Sequence, residues 1–172
     1  MSNDANATLH QHLRSLDAYW AFELDEHLAV ATETRRALRE DFARLVEVCA
    51  RAFAAGNKLL IFGNGGSAAD AQHIASEFSV RYRANRRALP AVALTSEGAT
   101  LTAVGNDLGF ERIFARQIEA LGRPGDVAMG VSTSGRSRNV LLALTQARSQ
   151  GMVAAALGGG DGGQLRELAD PC

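Results

Sequence analysis

Four short apolar runs, residues 58–62, 91–95, 127–131 and 153–157, alternate with helical patterns, and each passes into glycine, serine or threonine before the next helix. This alternation predicts an α/β domain with a parallel sheet covered by helices on both faces. A second observation extends it: residues 5–55 contain no glycine or proline and space their apolar residues as helices do, so helices precede the sheet. With 172 residues, 47% of them hydrophobic and 22% charged, the chain fits one globular domain able to bury a core.

In the N-terminal part, Phe42, Leu45, Val46, Cys49 and Phe53 mark one helical face, closed by Gly56. The stretch around Trp20, Phe22 and Leu24 is expected to interrupt the helical run, giving one helix near 7–19 and a longer one near 25–55. His10, His12, His27 and Trp20 have no reactive neighbour and read as surface or packing residues. Long exposed helices that flank a domain often pair with a copy of themselves.

The first strand runs into Gly63-Asn64-Gly65-Gly66-Ser67, a glycine turn that lets a ligand approach bare backbone at the start of a helix. Along that helix Asp70, His73 and Glu77 fall at i, i+3 and i+7, on one face. His73 and Glu77 have the spacing to reach one divalent ion; an ordinary i,i+4 surface pair is the plain alternative, and the adjoining glycine cradle favours the functional one. Strand 91–95 leads to a short helix near 100–104 and then to Gly105-Asn106-Asp107-Leu108-Gly109-Phe110, read as a connection before the helix that carries Ile113, Ile118 and Leu121. Asn106 and Asp107 there suit sugar hydroxyls or an ordinary turn.

Strand 127–131 opens into Ser132-Thr133-Ser134-Gly135-Arg136-Ser137, and the helix beyond carries Val140, Leu141, Leu144 and Ala147 on its apolar face. Four hydroxyls and a glycine at a helix N-terminus offer donors to a phosphate without lysine, or cap the helix. After strand 153–157, Gly158-Gly159-Gly160-Asp161-Gly162-Gly163 forms a flexible or closely packed loop, and a helix near 164–169 comes next. The alternation then expects another strand where the sequence reads Asp170-Pro171-Cys172, so the sheet is expected to lack a C-terminal strand and helix.

Eighteen basic and nineteen acidic residues leave a net charge of -1, too little for a global field that recruits nucleic acid or an anionic membrane. Cys49 and Cys172 match neither a disulfide framework nor a zinc ribbon. No apolar run reaches the roughly 18 residues of a membrane helix, and the polar opening does not read as a signal peptide. The expectation is a soluble cytoplasmic protein.

Gly63-Asn64-Gly65-Gly66-Ser67, His73 with Glu77, Gly105-Asn106-Asp107, and Ser132-Thr133-Ser134-Gly135 with Ser137 recur in one order, and in this the chain resembles the phosphoheptose isomerases of the sugar isomerase (SIS) domain superfamily. The resemblance covers the chain from about Ala55 onward. It implies a three-layer αβα sandwich with a flavodoxin-like parallel sheet: a single SIS domain over 1–172, in which residues 1–56 form helices used in oligomerisation and 57–172 the α/β core. It also implies interconversion of sedoheptulose 7-phosphate and D-glycero-D-manno-heptose 7-phosphate, on the route to ADP- or GDP-heptose for surface polysaccharide such as lipopolysaccharide. A homotetramer is implied as well, with sites formed between subunits.

Moving a carbonyl between C1 and C2 needs a base and stabilisation of an enediolate, and Glu77 is the candidate base. By the resemblance His73 and Glu77 bind one zinc per subunit, and the sugar phosphate meets Asn64, Gly65, Gly66, Glu77, Asn106, Asp107, Ser132, Thr133, Ser134 and Ser137; Asp70, on the same helix face, is placed to orient His73. The family completes its metal site with a glutamine and a histidine from a further strand and helix. These 172 residues hold neither, which leads to the expectation of weak metal binding and poor isomerase activity for this form. The same superfamily offers two other readings. One is a non-catalytic, tetrameric binding protein that grips a replication initiator, against which Glu77 stands because that group lacks a carboxylate there. The other is a sugar-phosphate sensor, which needs an effector domain.

Overall fold

The computed structural model describes residues 16–172. The chain forms two compact units, 1–40 and 41–172. In the first, helix α1 spans Leu16–Ala37. The break expected around Trp20, Phe22 and Leu24 is absent, because each aromatic residue lowers helix propensity by only a few tenths of a kcal/mol and no glycine or proline adds to it. The chain bends instead at Leu38, whose N–H still donates to the Thr34 carbonyl at 3.0 Å. Residues 7–15 of the expected first helix, with His10 and His12, lie outside the described residues.

Helix α2 (Arg39–Ala54) begins two residues before the second unit, which holds the rest of it and strand β1 (Leu59–Gly63), α3 (Gly66–Ser79), β2 (Ala91–Ala93), α4 (Gly98–Asp107), a 3-10 turn (Phe110–Arg112), α5 (Ala115–Leu121), β3 (Val127–Ser132), α6 (Arg138–Ser149), β4 (Val153–Gly158) and α7 (Leu165–Leu168). The four strands are parallel in the order β2-β1-β3-β4, with Leu59 opposite both Ala91 and Val127, and Val127 opposite Val153.

Strand alternation sorts the core into two layers. Leu59, Ile61, Val127 and Met129 pack with Cys49 and Phe53 of α2 and Ala71 and Ala75 of α3. Leu60, Phe62 and Ala128 pack with Phe114 and Ile118 from around α5 and Val140 and Leu144 of α6. This is the expected three-layer arrangement. Both faces being covered, all residues of β1 and β3 are buried, which is why they read as continuous apolar runs. Each fully buried Leu, Ile or Phe stabilises the fold by about 1.5–3 kcal/mol. The apolar stripe of α2 is only partly covered: Cys49 and Phe53 are buried, whereas Phe42 and Val46 stay exposed.

Beyond β4, the Asp170 N–H donates to the Ala154 carbonyl at 3.0 Å and the Ala156 N–H to the Pro171 carbonyl at 3.1 Å. The last described residues therefore lie along the outer edge of β4.

Candidate functional site

In a parallel sheet the carboxyl ends of all strands share one edge, and ligands bind in the turns beyond it. Here those turns are 64–66 after β1, 133–137 after β3 and 159–164 after β4. The first is shaped by Gly65, whose φ of +56° is a left-handed backbone that side-chain-bearing residues rarely adopt. It stands at the N-cap of α3 with no side-chain cap, so the N–H groups of the first helical turn face the space beyond the sheet.

The second turn is built from hydroxyls. Ser132, buried at the end of β3, lies with its Oγ 3.1 Å from the Ser137 Oγ. Ser137 is the N-cap of α6, yet its side chain makes no cap bond, having gone to Ser132 instead. The Ser134 Oγ accepts from the Arg136 N–H at 3.3 Å, and Thr133 and Ser134 are both exposed. Gly135, at φ +62°, passes so close to Gly162 that a Cβ there would overlap the Gly162 carbonyl. A Cβ on Gly159 would sit 2.7 Å from the Thr133 carbonyl oxygen. The glycine run after β4 is thus the closely packed loop of the two alternatives, backbone against backbone beneath the hydroxyl turn.

A double amide bond ties the first turn to the second. The Asn64 Nδ2 donates to the Asn139 Oδ1 at 2.9 Å, and the Asn139 Nδ2 donates to the Asn64 Oδ1 at 2.8 Å. Asn139 was not foreseen from the sequence. Its signal was there: an amide beside Val140 on the buried side of an amphipathic helix needs a partner.

Between α3 and the ends of β3 and β4 lies a cleft of about 330 Å³, walled by Ser67, Asp70 and His73 on one side and Thr133, Gly158 and Gly159 on the other. A hollow of about 700 Å³ beside the edge strand β2 is larger, but its polar side chains serve each other: Arg116 pairs with Glu119 at 2.7 Å and Gln117 donates to the Leu94 carbonyl at 2.9 Å. The smaller cleft has the helix N-terminus and the hydroxyls, and is the candidate site.

Glu77 sits one helical turn beyond His73, which walls the cleft, roughly 6 Å further along α3 at 1.5 Å per residue. Its Oε1 is 3.9 Å from the His73 Nε2, while its Oε2 is buried with no hydrogen-bond partner. The Arg86 guanidinium donates to the Glu77 carbonyl at 2.7 Å and to the Phe78 carbonyl at 2.8 Å, satisfying the end of the helix; its part too was not foreseen. Asn106 and Asp107 differ from the expected connection. They are the last residues of α4, because Gly105 is tolerated in a helix and the chain leaves only at Gly109, φ +92°. The Asn106 Nδ2 donates to the Asp107 Oδ1 at 2.8 Å and both are exposed; four residues on, Glu111 pairs at 2.7 Å with Arg138 at the start of α6, beside the hydroxyl turn. Within one chain, then, Asn64, Gly65, Gly66, Ser132, Thr133, Ser134 and Ser137 share one edge of the sheet, Glu77 lies one turn beyond the His73 wall of the cleft, and Asn106 and Asp107 end α4.

The donor chemistry of His73 and Glu77 suits a divalent cation: an exposed imidazole, and a carboxylate with one buried oxygen that no protein donor reaches. These are two donors, one short of the three that a catalytic zinc takes, and among the described residues no group of three or more His, Cys, Asp or Glu is placed to hold one metal ion.

The model of the SIS domain family matches residues 24–159. The phosphoheptose isomerase of Paramagnetospirillum magneticum is 58% identical over 149 residues, covering 87% of this chain and 78% of that protein. That of Trichlorobacter lovleyi is 48% identical over 155 residues, covering 90% and 79%. Among solved structures, phosphoheptose isomerase GmhA from Neisseria gonorrhoeae superposes with a TM-score of 0.85 at 40% identity, over 90% of this chain and 81% of that one. A phosphoheptose isomerase from Francisella tularensis gives 0.84 at 38% identity, over 90% and 80%.

Proposed function

The chain belongs to the SIS domain family, within it to the phosphoheptose isomerases, and from that premise we propose how its residues interconvert sedoheptulose 7-phosphate and D-glycero-D-manno-heptose 7-phosphate. The observation that carries the assignment of roles is the Glu77 carboxylate, whose buried Oε2 has no proton donor from the chain and is free to take a proton from carbon. Starting from the ketose, Glu77 removes a proton from C1, electrons move to the C2 oxygen, and an enediolate forms. The O1 proton is then exchanged for one on O2, and delivery of a proton to C2 leaves an aldehyde at C1.

The phosphate is held at the carboxyl edge of the sheet. The uncapped start of α3, with Gly65 and Gly66, and the hydroxyls of Ser132, Thr133, Ser134 and Ser137 supply neutral donors, and the helix dipole contributes about 0.3–1 kcal/mol toward an anion. Asn64, Asn106, Asp107 and Glu77 are assigned to the sugar. His73 and Glu77 would hold zinc, which when bound polarises the carbonyl and its neighbouring hydroxyl. Asp70, on the same helix face, is assigned to orienting His73.

A site completed by a second copy of the chain is part of this reading. We read the assembly as a homotetramer. Exposed Leu16, Trp20, Leu24 and Leu28 recur every fourth residue on α1, and Phe42 and Val46 do so on α2, stripes that suit helix pairing between copies. No described helix is long and apolar enough to cross a membrane. The cytoplasm, where sugar phosphates are made, and supply of nucleotide-activated heptose for surface polysaccharide complete the proposal.

The test is conversion of sedoheptulose 7-phosphate by the purified chain with zinc present, wild type against Glu77→Gln. Loss of about 10²-fold or more in kcat with substrate binding retained is expected for removal of a general base. A Glu77→Gln variant as fast as wild type would refute the assignment.

A further inference from the structure

We infer that Asn139 is a positioning residue for sugar-phosphate binding: it holds the Asn64 turn against the start of α6 so that both phosphate cradles meet one ligand. The inference rests on the functional reading above, and deepens it by reassigning the Asn64 side chain from ligand contact to tether.

Three hydrogen bonds converge on this pair. Asn139 is 3% exposed, and its Oδ1 accepts from the Asn64 Nδ2 at 2.9 Å and from the Val140 N–H at 2.9 Å. Its Nδ2 donates to the Asn64 Oδ1 at 2.8 Å. The Asn64 amide therefore has one acceptor and one donor committed to a partner 75 positions away, and its orientation is dictated from α6.

The geometry of the turns explains why such a tether is needed. β1 and β3 are neighbours, so the turns that leave them are adjacent, but nothing in strand pairing dictates how far apart the two helix N-termini sit. Gly65 and Gly66 make the first turn pliable. α3 begins without a side-chain cap, and the α6 N-cap hydroxyl is turned away to Ser132. Two uncapped N-termini with their positive dipole ends close together repel one another until an anion lies between them. The reciprocal amide bond restrains the turn in the meantime. Without it the backbone donors of the first turn stay intact but spread over several positions, and ordering them is charged against binding.

The experiment measures affinity for sedoheptulose 7-phosphate by calorimetry, with kcat, KM and the thermal midpoint, for wild type, Asn64→Ala, Asn139→Ala and the double variant. Each single variant is expected to weaken binding and raise KM about tenfold with kcat within about threefold, and the double variant to be no worse than the weaker single one, as for residues acting as a unit. Asn139→Asp covers the case in which Asn139→Ala fails to fold. It keeps the volume and both accepted bonds, loses the donation to Asn64, and should regain affinity relative to wild type as acid protonates the new carboxyl. Additive losses, or wild-type affinity in Asn139→Ala and Asn139→Asp, overturn the tether. A wild-type chain that does not bind the sugar phosphate overturns the functional reading itself, and the tether with it.

Discussion

Lys58 and Asp126 form an ion pair at the amino ends of β1 and β3, the edge of the sheet opposite the candidate site. The Asp126 side chain is 3% exposed, and its oxygens also accept from the backbone N–H groups of Lys58 at 2.9 Å and Arg123 at 2.8 Å. Every bond of this carboxylate is internal to the scaffold. Asp126→Ala is expected to cost about 2–4 kcal/mol of stability, by leaving two N–H donors unpaired, while KM is unchanged in the folded fraction. Denaturant titration beside steady-state kinetics checks this, and a changed KM with unaltered stability would contradict it.

Gly135→Ala is expected to do damage at the site end. The added Cβ meets the Gly162 carbonyl, and the φ of +62° is one that side-chain-bearing residues rarely adopt. The hydroxyl turn must lift off the glycine loop, so sugar-phosphate affinity should fall at least about tenfold with a loss of roughly 1–3 kcal/mol in stability. Gly160→Ala, where a Cβ would find open space, controls for general loop strain: φ is again positive at +58°, and affinity should be retained.

His73→Gln separates metal binding from fold. The imidazole is 75% exposed, so its replacement should leave the thermal midpoint in place and lower zinc content after equilibrium dialysis. Zinc content equal to wild type would remove His73 from the ligand set.

The two thiols should differ in reactivity. Burial pushes both Cys49 and Cys172 up from the ordinary 9.0, with Arg166 partly offsetting the shift at Cys172. Disulfide-exchange reagents at neutral pH should label the half-buried Cys172 first and reach the buried Cys49 only on unfolding. The sign for stability comes from the same shift: the thiols bind protons more tightly when folded, so their contribution is whole below about pH 9 and is lost as pH rises through the folded values. A stability that rises between pH 9 and 10 would contradict this.

The copy-pairing stripes predict assembly size. Light scattering at micromolar concentration should report four chains, and Trp20→Glu with Leu24→Glu should shift the distribution toward smaller species. A wild-type monomer would refute the shared site.

The strands, the helices between them and the two phosphate-type turns were legible because each is a local signal. Apolar runs such as Leu59-Leu60-Ile61-Phe62 mark parallel strands covered on both faces, and glycine or hydroxyl clusters mark the turns at their carboxyl ends. Boundaries were less so. The uninterrupted α1 through Trp20 and the extension of α4 over Asn106 and Asp107 both arise because helical hydrogen bonding continues wherever no glycine or proline conformation stops it, and residue type alone suggests a break too early.

Residue order along the chain was enough to establish an α/β scaffold, the edge of the sheet that gathers the glycine and hydroxyl turns, and the face shared by His73 and Glu77, since periodicity and turn chemistry act over a few residues. Folding in space settled which groups are already spoken for. Asn64 with Asn139, Ser132 with Ser137, and Gly135 against Gly162 join positions that strand pairing brings together, and a hydrogen bond or a close backbone approach depends on separation in three dimensions, which sequence spacing does not encode.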